Sequence, residues 1–300
     1  MDGGRLRINE ALRPALEAAG LMTLDAIMAM RGGEVYRDVP GRTTVRIELA
    51  DPAGGTRALF VKRYTAVPWR TKLRRTLSLN RPVSLAAAEV RALVRVVSAG
   101  IATVRRVALG EELSHGGRSE RSCLITEEIA GATQADKFCE AAFGGNPSRE
   151  KIAQKRRLIL AIARLARRLH AARLSHRDFY LCHILVRPVE GAEPILFLID
   201  LQRVAHHRRG LGRRWIVKDL AAMLFSSRPS AATHIRSAVF TRTDAVRFAR
   251  EYFGVPRLGE GHKAILRSIV RKARRMAAHE ARRSPRLCQK CRTTGKGLSF

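Results

Sequence analysis

Two aspartates carry the chemistry legible in this chain. His176-Arg177-Asp178 runs into Phe179-Tyr180-Leu181-Cys182-His183, and an apolar run, Ile195–Ile199, then delivers Asp200. An aspartate in a polar loop can orient a hydroxyl and accept its proton as the oxygen attacks. A carboxylate at the end of an apolar strand suits Mg²⁺, a hard cation that takes oxygen ligands and shares them with phosphate. Either aspartate alone would be an ordinary capped turn. Together, with a short hairpin returning the chain to the same cleft, they supply what phosphoryl transfer to an alcohol needs. The candidate catalytic group is Asp178 with Arg177 and His176, and the candidate metal ligand is Asp200.

Two neighbours depart from the usual pattern of such sites. A magnesium-binding amide is expected where His183 stands, and imidazole is a softer, poorer Mg²⁺ ligand. His183 therefore reads either as a phosphate contact or as the mark of an altered second metal site. Asp200-Leu201-Gln202 also lacks the glycine that follows the metal aspartate in switchable enzymes of this kind.

Elements upstream must hold a nucleotide if this chemistry is to run. Residues 33–64 read as antiparallel strands, with turns at Pro40-Gly41 and Asp51-Pro52-Ala53-Gly54-Gly55. Gly41 fits a phosphate-covering tip or an ordinary hairpin equally, and no full glycine-rich loop is present. Arg42 beside it offers a guanidinium. Lys62 sits on the apolar strand Leu59–Tyr64, facing outward or else holding phosphates. Its partner would be Glu89, the only acid between Lys62 and Gly110, on a helix over Pro82–Ala99. Strands at Val104–Leu109 and Cys123–Ile129 follow, around a charged Gly116-Gly117 loop. Glu127 and Glu128 end the second, as a hinge whose backbone reads an adenine edge or as exposed acids closing a strand. Short helices over 8–30, a long one over Arg149–Ala172 and a basic one over Gly261–Arg283 complete the pattern.

This chain of 300 residues, 46% apolar, is long enough for one large domain or two lobes sharing a cleft. Its formal charge of +31 calls for an anionic partner: nucleic acid, an acidic membrane or a phosphorylated substrate. The cations gather at 62–81, at 203–218 and beyond 261, where a solvated surface is the plain alternative. Five scattered cysteines form no disulfide framework, which points to a reducing compartment. Cys288-x-x-Cys291 lacks the second pair that zinc requires. No apolar run reaches membrane-spanning length, and the N-terminus lacks a secretory core, so a cytosolic protein is expected.

The block His176–His183, with Leu198-Ile199-Asp200-Leu201-Gln202-Arg203 and Arg213–Leu220, resembles the bacterial lipopolysaccharide core kinases of the Kdo/WaaP type. Arg31–Arg46, Phe60-Val61-Lys62, Asn80-Arg81-Pro82-Val83 and Ile125–Glu128 are similar too, so the likeness spans roughly 30–255. It implies an α+β, protein-kinase-like two-lobed fold. The shift to helical composition near 130 divides the chain into a β-rich N-lobe over 1–130 and a mostly helical C-lobe over 131–283, and a basic tail follows over 284–300. The likeness further implies ATP- and Mg²⁺-dependent phosphorylation of a heptose or Kdo hydroxyl in the lipopolysaccharide inner core, at the cytoplasmic face of the inner membrane. By position, Lys62 and Glu89 would be the phosphate-holding pair, Asp178 the base, Asp200 the metal ligand and Asp219 the start of a buttressing helix. His183 is usual in that family. The acceptor would be an anionic glycolipid or sugar and the membrane contact peripheral, while retention of the whole set argues against nucleic acid. The competing readings are another sugar or protein acceptor, or a silent kinase-shaped module that binds nucleic acid or membrane.

Overall fold

A computed structural model describes residues 5–51, 54–67, 69, 71, 73, 83–114, 119–145, 147–230 and 233–293, with side chains of the last helix described as far as Arg282. Most of the basic 62–81 stretch, Asn80–Pro82, the Gly116-Gly117 loop and the side chains of Cys288 and Cys291 lie outside the described residues. The chain divides into two compact units: 1–131 with 200–202, and 132–199 with 203–300.

The first unit is built on strands β1 (Leu6–Ile8), β2 (Glu34–Val39), β3 (Arg42–Ala50), β4 (Thr56–Tyr64), β5 (Arg106–Ser114) and β6 (Ser119–Glu127), with helices α1 (Arg13–Ala18), α2 (Leu24–Ala29) and α3 (Leu85–Ser98). The strands form one antiparallel sheet in the order β1-β5-β6-β4-β3-β2. Period-two alternation along β4 sorts its side chains. Leu59 and Val61 join Leu16, Leu24 and Ile27 of α1 and α2 in one buried cluster. Tyr64 joins Ala86, Ala87 and Val90 of α3 in another. Lys62 shares the Tyr64 face, so it points at α3. Ser84 caps α3 by accepting from the Ala87 N–H at 2.9 Å.

The β5–β6 pair runs further toward its hairpin than apolar content suggests. Its outer rungs are charged but complementary: Glu112 lies opposite Arg121 and pairs with it at 3.0 Å. Opposite charges across a ladder sustain strands that a hydrophobic pattern misses.

In the second unit, β7 (Thr133–Gln134) leads into α4 (Ala135–Phe143) and α5 (Arg149–Ala171), followed by β8 (Leu174–Ser175), β9 (Ile184–Arg187), β10 (Ile195–Leu198) and β11 (Ala205–His206). Helices α6 (Arg213–Ser226), α7 (Arg242–Phe253) and α8 (Glu260–Thr293) complete it. Leu158, Ile162, Leu165, Ala166 and Leu169 bury one stripe of α5. Arg156, Arg167 and Arg168 lie exposed, whereas Lys155 is buried and pairs with Asp244 at 3.0 Å. α8 packs on α6, burying Ile269 and Ala273, while Arg213 donates to the Ala264 carbonyl and the Ser268 hydroxyl. It continues to Thr293, past the end that the sequence pattern suggests at Arg283.

The chemistry-bearing loop is clamped at both ends. β8 precedes His176 and pairs with β11, which follows Arg203. The β9–β10 hairpin pairs Ile184–Arg187 with Ile195–Leu198 and ends at Asp200. Phe179 and Leu181 anchor the loop from inside, each almost wholly buried.

Candidate active site

The loop around Asp178 is held by a second aspartate. Asp219, fully buried on α6, accepts the backbone N–H of His176 and of Arg177, both at 2.7 Å. His170 completes its surroundings at 3.4 Å. This grip maintains Arg177 at φ 71°, a left-handed conformation that a residue with a side chain rarely adopts. The His176 Nε2–H donates to the Ile199 carbonyl at 3.0 Å and so ties the loop to the residue before Asp200.

Asp178 itself is pinned at its backbone and engaged at its carboxylate. Its carbonyl accepts the Tyr180 N–H at 2.9 Å and the His183 Nδ1–H at 2.7 Å. A carbonyl only accepts, so Nδ1 carries the proton in that bond. The carboxylate accepts from Arg203 Nη1, at 2.7 Å to Oδ1 and 2.9 Å to Oδ2. Lys218 also lies near. Burial and the charge of Arg203 pull its ammonium below the ordinary lysine range, against the opposing pull of Asp178.

In the first unit, Lys62 donates to Glu89, whose carboxylate is almost fully buried. The pair is one end of a longer network. Glu89 also accepts the Tyr64 hydroxyl at 2.9 Å, and the Gln202 amide donates to that same hydroxyl. Arg42 closes the chain, donating to the Gln202 side-chain Oε1 at 2.9 Å and lying 3.9 Å from an Asp200 oxygen. Burial, reinforced by the Glu89 charge, holds the Tyr64 phenol far above its usual pKa, so it remains a donor at any working pH. Asp200 sits at φ 55°, a second left-handed residue with a side chain. Such conformations persist where surrounding contacts over-determine them, and they concentrate at working sites.

Three sequence candidates fall elsewhere. Gly41 (φ 81°) is glycine for a packing reason: a Cβ there would fall 2.5 Å from the Ala66 Cβ. It lines an open cavity of about 590 Å³ with Arg42, Arg63 and Thr65, a lining that does not include Lys62 or Glu89. The Glu127 carboxylate accepts from Arg105 and Arg57, and that of Glu128 from Arg46. Their amide N–H groups bond to the Arg105 and Ala58 carbonyls. Those side chains and amide N–H groups are committed within the first unit.

The sequence pattern passed over Tyr64, Gln202 and Arg203. Tyr64 follows Lys62 by one strand period and so shares its face, and Gln202 and Arg203 directly follow the metal candidate. Those placements are the only sequence signals.

A model of the lipopolysaccharide kinase (Kdo/WaaP) family matches residues 26–252. The chain belongs to this family. The lipopolysaccharide core heptose(I) kinase WaaP of Pseudomonas aeruginosa is 33% identical over 269 residues, covering 89% of this chain and 90% of that one. The enzyme of the same description from Escherichia coli K12 is 33% identical over 75% of this chain and 79% of its own. A solved structure described as WaaP in complex with acyl carrier protein superposes with TM-score 0.65 at 31% identity, over 90% of this chain and 98% of that one. This Kdo/WaaP family member therefore has a protein-kinase-like fold and is a phosphotransferase acting on a sugar hydroxyl.

Removing one hydroxyl tests the buried network. Tyr64→Phe keeps the ring but leaves the Gln202 amide and a Glu89 oxygen each short of a partner, a cost of about 1–3 kcal/mol. The expected outcome is a lower Tm and, because Glu89 orients Lys62, a higher KM for the nucleotide. Thermal denaturation and an initial-rate nucleotide titration check this; unchanged values in both would contradict it.

Proposed function

We propose that this chain transfers the γ-phosphoryl group of ATP to a heptose hydroxyl of the lipopolysaccharide inner core. The observation that carries the reading is Asp178, fixed in a loop by Asp219 and His183, in a chain one-third identical to two heptose(I) kinases. Asp178 would orient the sugar hydroxyl and accept its proton. Lys62, held by Glu89, would bind the donor's phosphates, and Arg42 would add a cation on the same side of the reaction.

Asp200 is the group that would hold Mg²⁺. No cluster of three or more His, Cys, Asp or Glu side chains capable of holding a metal occurs among the described residues. That fits Mg²⁺, which typically binds through one or two carboxylates together with substrate phosphates. When bound, the ion would neutralise charge on the phosphates during transfer.

The acceptor would lie at the cytoplasmic face of the inner membrane. Among the described residues no helix is long and apolar enough to cross a bilayer. Contact would be peripheral, through basic surface such as Arg271, Lys272, Arg274 and Arg275, all exposed on α8. Sedimentation with liposomes should then show binding to anionic vesicles that weakens steeply with salt, as screening requires. Equal binding to neutral vesicles would contradict it.

The substrate assignment is tested with two acceptors, a dephosphorylated core carrying heptose and a truncated one ending at Kdo. Labelled phosphate should enter the first and not the second. Labelling of the truncated acceptor would make this a Kdo kinase instead.

A further inference from the structure

Trp215, on the first turn of α6, is surrounded by cations. The Arg177 guanidinium carbon lies 4.6 Å from the centre of its ring, that of Arg214 4.9 Å and the Lys218 ammonium 5.8 Å. The His207 ring lies against the same indole at 5.3 Å. An aromatic face attracts a single cation, but gathering three brings like charges together. The nearby carboxylates are occupied otherwise: Asp178 takes Arg203, and Asp219 takes two backbone N–H groups. Among the described residues neither Arg214 nor Lys218 has an ion-pair partner, whereas the adjacent Arg213 is spent on α8. Burial, then the charges of Arg177 and Arg214, pull the His207 imidazole below its usual pKa.

Two features of the backbone converge on the same place. Gly212 begins α6 with no side-chain cap, so the positive end of a 14-residue helix points here. Arg177 reaches the indole from a left-handed backbone conformation that Asp219 has to hold. A cationic cradle on a rigid aromatic floor, one residue from Asp178, is the complement of a planar or tetrahedral oxyanion.

We propose that Arg177, Arg214 and Lys218, arrayed on Trp215, form a binding site for an acidic group of the acceptor sugar, a carboxylate beside the hydroxyl that Asp178 meets. The inference rests on the reading of Asp178 as the group that meets the acceptor. It deepens that reading: the enzyme recognises its acceptor by a charge on a neighbouring residue, and a neutral sugar of the same shape is a poor substrate.

The chain has two tryptophans, Trp69 and Trp215, so Trp69→Phe leaves the indole of the site as the sole reporter. The fluorescence of that protein is titrated with dephosphorylated Kdo-heptose oligosaccharide, with its carboxyl-reduced neutral form, and with inorganic pyrophosphate. The acidic oligosaccharide should give a saturable change with a Kd at least tenfold lower than the neutral form. Lys218→Met and the exposed Arg214→Glu, each added separately, should erase that difference while circular dichroism stays native. In turnover the same variants should raise the acceptor KM and leave the KM for ATP unchanged. Equal affinity for acidic and neutral forms would overturn the proposal, as would a response to pyrophosphate alone, which would assign the cradle to the nucleotide. Because binding is read without turnover, acidic-sugar binding in a protein that transfers no phosphate would sink the kinase reading and leave the site standing.

Discussion

Replacing Asp178 by asparagine is expected to lower the rate of phosphoryl transfer by about 10²- to 10⁴-fold, the usual contribution of a positioned general base. The substitution is a clean one here because the backbone does not depend on the side chain. The Asp178 carbonyl is held by Tyr180 and His183, and Phe179 is buried beside it. An asparagine keeps the volume and leaves Arg203 an oxygen to bond, but it has no carboxylate to take a proton. The loss should therefore appear in kcat, with nucleotide affinity and Tm close to those of the wild type. Initial-rate kinetics and a melting curve on the same preparation measure all three. A variant retaining most of its kcat would remove Asp178 from the reaction, and one that melts early would make the loss uninformative.

The second large effect is on stability. Asp219→Ala leaves the N–H groups of His176 and Arg177 without their acceptor in a buried site, and each such orphan costs about 1–3 kcal/mol. It also releases Arg177 from a backbone conformation worth about 1–3 kcal/mol of strain, so part of the cost is returned as the loop relaxes. A net loss of about 3 kcal/mol corresponds to a fall in Tm of roughly 6–12 °C for a domain of this size. Activity should fall further than stability explains, since Asp178 and Arg177 lie on the relaxed loop. A melting temperature within about a degree of the wild type would show that the buried carboxylate is not the clamp described.

How much of this was legible in the sequence depends on whether a residue announces itself by spacing or by tertiary contact. The Lys62–Glu89 contact was legible because Glu89 is the only acid between Lys62 and Gly110, which leaves the lysine one candidate partner on the helix that follows. The long helix over 149–171 was legible from its apolar stripe and its Ser148 cap. The loop at 176–183 was legible because its residue types match a known chemistry. The Tyr64–Gln202 bond was not, for it joins positions 138 residues apart that carry no charge. Arg203 was lost among its neighbours, since a run of arginines reads as surface until one of them is seen to bond a carboxylate. Glu127 and Glu128 show the opposite case. Two acids closing a buried strand read as exposed, yet Arg57, Arg105 and Arg46 take them up. In a chain this rich in arginine, an acidic residue near the sheet readily finds an internal partner.

The same contact explains why Gln202 stands where a switchable enzyme has glycine. Its amide is shared between Tyr64 and Arg42, which fixes the segment after Asp200 against the Lys62–Glu89 pair. A glycine could make neither bond.

The most direct test of the account is the mass of the acceptor. Purified protein, ATP, Mg²⁺ and dephosphorylated inner-core oligosaccharide are incubated together, and the saccharide is weighed and its phosphate located by NMR. The account predicts a mass gain of one phosphoryl group, on a heptose hydroxyl, that is absent with the Asp178→Asn protein. An unmodified saccharide, or a gain that persists without the Asp178 carboxylate, would contradict it.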